Sequence, residues 1–155
     1  MKTNAMRILD QKKIIYKVNE YDISDGRIDG ISVAEKTGAD PAKVFKTLVT
    51  QGTSKNYYVF VIPVLDELDL KEAARVSGEK KIEMIPMKDL LKITGYIKGG
   101  CSPIGMKKRY PTYIHESCLN FDSIYVSAGQ RGLQVRLSPK DLIEEVGAQI
   151  GFLVV

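Results

Sequence analysis

The chain is 155 residues long, with 44% hydrophobic and 27% charged residues. That length predicts a single domain over residues 1–155 whose core needs no disulfide or structural metal, and the apolar content excludes a disordered or low-complexity chain. Lysine and arginine number 23 against 19 aspartate and glutamate, so the net charge of +4 leans toward a polyanionic partner without identifying one.

Taken in chain order, Thr3 is placed to cap a short helix carrying Met6, Ile8 and Leu9, and Ile14 to Tyr21 alternates as a strand. Ser32 and Glu35 have capping-box spacing before Gly38, which predicts a helix over Ser32 to Thr37. Asp40-Pro41 repeats the start signal and predicts a second short helix ending near Phe45. Phe45 to Thr50 and Tyr57 to Pro63 are β-branched and aromatic runs joined by a polar loop, the pattern of a hairpin. Asp69 and Glu72 open a helix that Gly78 stops, Lys81 to Ile85 suits a strand, and Pro86 to Ile93 has helical spacing before Gly95. Pro111 to Glu116 reads as a strand, Ser123 to Ser127 and Leu133 to Leu137 as a second hairpin, and Ser138-Pro139 as the start of a last long helix. Strands outnumber helices and hairpins dominate, which predicts an α/β (α+β) domain with a mixed, mainly antiparallel sheet and flanking helices.

The N-terminal residues lack the apolar run of a signal peptide, and no stretch approaches the ~20 apolar residues of a membrane span. Cys101 and Cys118 form no CxxC pair, which argues against a zinc site or a secreted disulfide framework. A cytoplasmic protein without membrane contact is expected, with no metal and no cofactor.

The least ordinary segment runs from Gly95 to Arg109, GYIKGGCSPIGMKKR, with glycines at 95, 99, 100 and 105 and a proline at 103. Such a backbone can approach a ligand closely because glycine lacks a Cβ, and it can equally be a surface loop with a basic tail. Lys46, near the start of an apolar strand, is either a solvated cation or the holder of an anionic group. Tyr21 offers a phenol at a strand end, or packs. Conventional catalysts are scarce. The single histidine, His115, has no nucleophile elbow with it and reads as structural, and Cys101 has no neighbouring base to lower its pKa, so it reads as a small loop residue. Composition and spacing therefore yield a pocket-forming domain with a glycine loop and a lysine, not a reaction.

Four blocks, KVFKTLV, LDLKEAARVSGEKKIEM, TGYIKGGCSPIGMKKRYPTYI and IYVSAGQRGLQV, spaced between Lys43 and Val135, together resemble in order and spacing the YbaK/EbsC family, which is related to the editing domain of bacterial prolyl-tRNA synthetase. The resemblance implies a curved mixed sheet and a trans-editing aminoacyl-tRNA deacylase that removes cysteine mischarged on tRNA(Pro), with Cys-tRNA(Cys) as a further substrate. The chemistry it implies is substrate-assisted: the cysteinyl thiol attacks its own carbonyl and leaves as a thiolactone, so the protein supplies positioning and oxyanion stabilisation.

By this resemblance Lys46, Gly99 and Gly100 are the catalytic residues, Lys46 holding the 3′-terminal adenosine and the two glycine N–H groups facing the aminoacyl carbonyl. Tyr21, Ser102, Pro103, Ser127, Gly129 and Arg131 fall at substrate-binding positions. The implied partners are aminoacyl-tRNA and, in a ternary complex, prolyl-tRNA synthetase. Three departures from the family pattern stand out: Gln134 replaces an aspartate, Cys101 replaces an isoleucine, and Gly151 to Val155 form an apolar C-terminus suited to an edge strand or an association surface. The alternatives are a deacylase for another small amino acid such as alanine, and a non-catalytic module that binds an aminoacyl-adenosine or nucleotide.

Overall fold

A computed structural model describes residues 2–155. The Thr3 hydroxyl accepts the Met6 N–H at 3.2 Å and opens α1 (Asn4–Gln11), which buries Ala5, Met6 and Leu9, and β1 (Tyr16–Glu20) follows. Helix α2 (Gly30–Thr37) starts earlier than the capping-box spacing predicts. Asp29 is its cap: the carboxylate accepts the Ser32 N–H at 3.1 Å and the Ser32 hydroxyl at 2.7 Å, so Ser32 sits three residues inside the helix as the capped donor. Gly38, with φ +69°, closes the helix as expected. The second predicted helix is only a 3₁₀ turn over Pro41–Lys43, because Val44 is already extended and leads into β2.

β2 (Phe45–Gly52) and β3 (Tyr57–Pro63) form the expected antiparallel hairpin. Asp69 caps α3 (Leu70–Ser77), accepting N–H groups of Lys71 and Glu72, and Gly78 stops it. β4 (Ile82–Met84) is followed by a 3₁₀ turn at Met87–Asp89 that runs into α4 (Leu90–Thr94). β5 (Thr112–His115), β6 (Ile124–Gln130) and β7 (Leu133–Leu137) precede α5 (Pro139–Val146), which has only eight residues. β8 (Gln149–Gly151) is an edge strand parallel to β5; it shares only Gly151 with the apolar C-terminus, whose Val154 forms an isolated antiparallel bridge with Leu68.

The strands divide into two sheets, ordered β1-β7-β6 and β4-β2-β3-β5-β8, bridged by a parallel contact between Val44 and Tyr125. The β3–β5 and β5–β8 pairings are parallel and the others antiparallel, so the architecture is mixed as expected. The main core lies where the sheets face each other: Phe45, Val59, Val61 and Ile114 meet Val126, Val135 and Leu137, sealed by Leu9 of α1 and Leu142 of α5. On the other face of the large sheet, Phe60, Ile62 and Tyr113 pack on Ala73, Ala74 and Leu153. β3 is apolar at nearly every position because both its faces are covered. None of the described helices is long and apolar enough to cross a membrane.

Candidate functional site

The start of β2, the beginning of α2, the small sheet and the loop after α4 converge on a cleft of ≈ 390 Å³. β2 and the residue before it contribute Val44, Phe45, Lys46 and Thr47; α2 and its cap contribute Asp29, Gly30 and Val33. The small sheet adds Val126, Ser127 and Gln134, with Tyr21 just past β1, and the loop adds Lys98, Gly99 and Cys101.

Lys46 is half-buried at the second position of β2. None of the ion pairs among the described residues uses it, so its ammonium is available to an anionic or carbonyl group in the cleft. Next to it, the Thr47 hydroxyl oxygen is buried without a hydrogen-bond partner, although Thr47 lines the cleft. Asp29 is the cleft's carboxylate, and its two bonds from Ser32, the hydroxyl first, hold its pKa below the usual range.

The glycine loop is a β-turn. The Gly100 N–H donates to the Ile97 carbonyl at 3.0 Å, and Gly99 takes φ +84° while Lys98 does not have positive φ, which defines a type II turn with Gly99 at its third position. A side chain at Gly99 would also stand 2.6 Å from Ile28 Cδ1, so glycine is required there twice over. The turn gives the two glycines different parts. The Gly100 N–H is engaged inside the turn, and Gly100 packs against the Arg131 backbone behind it; the Gly99 N–H donates to no acceptor among the described residues, and Gly99 lines the cleft. The expectation has both N–H groups facing a substrate carbonyl; closure of the turn uses the Gly100 N–H and leaves only the Gly99 N–H open to a ligand.

The remaining predicted positions separate by geometry. Tyr21, Lys46, Gly99 and Ser127 share the cleft. The Ser127 hydroxyl accepts the Gly129 N–H at 3.1 Å in the bulge of β6. Ser102 is buried and its hydroxyl accepts the Ile104 N–H at 3.2 Å, while Pro103 lines a different, smaller cavity with Ile104 and Tyr110, so neither faces the cleft. Gly129, at φ +96°, lies against the Tyr96 ring, and the Arg131 Nε donates to the Lys98 carbonyl at 2.7 Å. Both belong to the β6–β7 end behind the loop. Sequence reasoning overlooked Asp29, Val33 and Thr47; the Asp-Gly pair at 29–30 was the available signal for the first, and a small hydroxyl beside Lys46 for the last.

Cys101 lies in the cleft, but burial pushes its thiol up to about 12, so it is protonated and a poor nucleophile near neutral pH. His115 lies elsewhere: its Nδ1 accepts the Leu153 N–H at 3.2 Å and its ring meets Phe152 edge-on with centroids 5.2 Å apart. Among the described residues no three His, Cys, Asp or Glu side chains gather as a metal-binding group.

The cleft of this small α/β domain thus presents a free ammonium, one unengaged backbone N–H and a hydroxyl, with no activated nucleophile among the described residues, a donor set that suits a ligand carbonyl or phosphate. The model of the aminoacyl-tRNA editing domain family matches residues 30–145, and the chain belongs to that family. It is 49% identical over 148 residues, 96% of this chain and 90% of the relative, to the Enterococcus faecalis protein provisionally named Cys-tRNA(Pro)/Cys-tRNA(Cys) deacylase EbsC. A crystal structure described as a provisional trans-editing enzyme for prolyl tRNA synthetase superposes with a TM-score of 0.85 at 25% identity, covering 100% of this chain and 99% of that one. The hypothetical protein APE2540 superposes with a TM-score of 0.90 over 99% of this chain and 100% of its own, and at 17% identity it attests the fold.

Proposed function

We propose that the chain is one trans-editing domain that deacylates cysteine mischarged on tRNA(Pro), and also Cys-tRNA(Cys), in the cytoplasm. The observation that carries this is a cleft with a free cation and a free N–H donor whose own thiol, Cys101, is pushed up to about 12. Such a site has little to attack with and much to orient with, which suits a substrate that brings its own nucleophile. The 49% identical relative with the provisional deacylase name supports the same choice.

The substrate sulfur attacks the aminoacyl carbonyl carbon, a C–S bond forms, and the ester C–O bond breaks. The thiol proton goes to the departing ribose oxygen, leaving intact tRNA and a cysteine thiolactone. Sulfur and carbonyl carbon belong to the same cysteinyl group, so the attack is already intramolecular, and the protein's part is to hold the rotamer that brings the two to attack distance. The Gly99 N–H stabilises the developing oxyanion, Lys46 holds the terminal adenosine and orients the ester, and Tyr21 and Ser127 line the aminoacyl side.

The test is a panel of tRNA(Pro) charged with cysteine, alanine or serine. Turnover of the cysteinyl ester alone, with thiolactone as product, is the expected outcome. Equal loss of the alanyl ester would place the protein in an alanine-editing branch, and stoichiometric binding without turnover would make it a binding module. Lys46→Ala should lower kcat/KM by about 100-fold, on the scale of losing one transition-state contact, and full activity in that variant would overturn the site assignment.

A further inference from the structure

We infer that Arg131, at a substrate-binding position by resemblance, is instead a positioning residue that fixes the direction of the Gly99 N–H. The inference rests on the deacylase function proposed above. Arg131 does not line the cleft. Its Nε donates to the Lys98 carbonyl at 2.7 Å, and that carbonyl belongs to the same peptide unit as the Gly99 N–H. No peptide bond among the described residues is cis, so the two groups of this unit point in opposite directions.

The geometry explains why such an anchor is needed. A turn with glycine at its third position can hold its central peptide in the type II orientation seen here or rotate it into type I, since glycine accepts both signs of φ. Rotation would exchange the sides on which the Lys98 carbonyl and the Gly99 N–H lie. The guanidinium holds the carbonyl behind the loop, so the N–H stays on the opposite side, toward the cleft that Gly99 lines. A charged donor on the carbonyl also polarises the peptide and strengthens its N–H as a donor.

The support for Arg131 is itself built into the fold. Arg131 and Gly132 form the two-residue connection between β6 and β7, whose last pair is Gln130 with Leu133. Gly100 presses on the Arg131 backbone, where an added Cβ would lie 3.0 Å from its nitrogen. On the other side the Gly132 carbonyl accepts the Tyr21 N–H at 3.0 Å. One turn thereby sets the glycine loop and Tyr21 relative to each other.

Two variants test the inference. Arg131→Met keeps the aliphatic stem and removes the donor, whereas Arg131→Lys keeps a charged donor. With Cys-tRNA(Pro) as substrate, Arg131→Met should lower kcat by about 10–100-fold with KM nearly unchanged, and Arg131→Lys should recover part of the loss. The residual dipolar coupling of the Gly99 N–H, measured by NMR on the protein without substrate, supplies a readout independent of turnover. Both turn types keep the Gly100 N–H on the Ile97 carbonyl, so the Gly99 N–H is the group that reports a rotation: its coupling should move toward an averaged value in Arg131→Met, while the couplings of β6 and β7 stay as in the wild type. A raised KM with unchanged kcat would overturn the inference and make Arg131 a substrate contact; an unchanged Gly99 coupling would overturn it as well. If the wild-type protein does not turn over charged tRNA, the proposed function fails, and the Gly99 coupling still decides whether Arg131 anchors the turn.

Discussion

His115, the one histidine of the chain, is held toward its neutral form by burial, which lowers its pKa below the ordinary 6.5 more than nearby Asp66 and Glu116 raise it. Its Nδ1 must be unprotonated to accept the Leu153 N–H. The unfolded chain takes up this proton near its ordinary pKa and the folded chain resists it, so stability is complete above about pH 6.5 and falls as pH drops below that value. Denaturant unfolding measured stepwise between about pH 7.5 and 5.5 should show this decline, and His115→Ala should remove it while costing about 1–3 kcal/mol for the stranded Leu153 donor. A flat wild-type profile would show that His115 is not held neutral. The sequence made this role legible by elimination, since nothing near His115 could serve as its catalytic partner. Its bond to Leu153 was not legible, because 38 residues separate the two and only β8 beside β5 brings them together.

Among the elements, α2 forms one wall of the cleft with its first turn. Gly30 begins the helix directly against Val64, and a Cβ there would overlap the Val64 side chain, whose β-branching leaves it little room to turn aside. Both residues line the cleft. Gly30→Ala should therefore cost about 1–3 kcal/mol by overpacking and weaken substrate binding, since α2 must move off the sheet. Gly38→Ala is the control: nothing lies within 4 Å of its added Cβ, so it bears only the strain of φ +69°, about 1–2 kcal/mol, with the cleft unaffected. Thermal unfolding and turnover of the two variants separate these effects, and equal activity losses in both would refute the assignment of Gly30 to the cleft wall. Local signals read from sequence located this helix and its glycine stop correctly. They misplaced its start because Ser32 carries a capping residue's side chain while acting as the donor to Asp29.

At the scale of the whole molecule, the hairpins were legible from β-branched runs and turn residues, whereas the division into two sheets was not. That division depends on pairings between distant segments, such as β1 with β7 and β3 with β5, which leave no periodic trace in either segment. The same assembly decides how the modest net charge of +4 is used. Lys46 and the exposed Lys98 both line the cleft, and both lack a carboxylate partner among the described ion pairs. Two cations suit the single-stranded 3′ end of a tRNA and are too few to follow its acceptor stem. With two phosphates neutralised, log K for tRNA binding should fall against log salt with a slope of about −1.4, and Lys98→Ala should make that slope shallower by about 0.7. The chain alone should then bind tRNAs of different identity nearly equally, and prolyl-tRNA synthetase should supply the preference for tRNA(Pro) as a third member of the complex. Titrations across salt, with and without the synthetase, check both points. A slope of about −5 or steeper, together with unaided selection of tRNA(Pro), would mean that a far larger surface of this domain reads the RNA and that the synthetase is not needed for the choice.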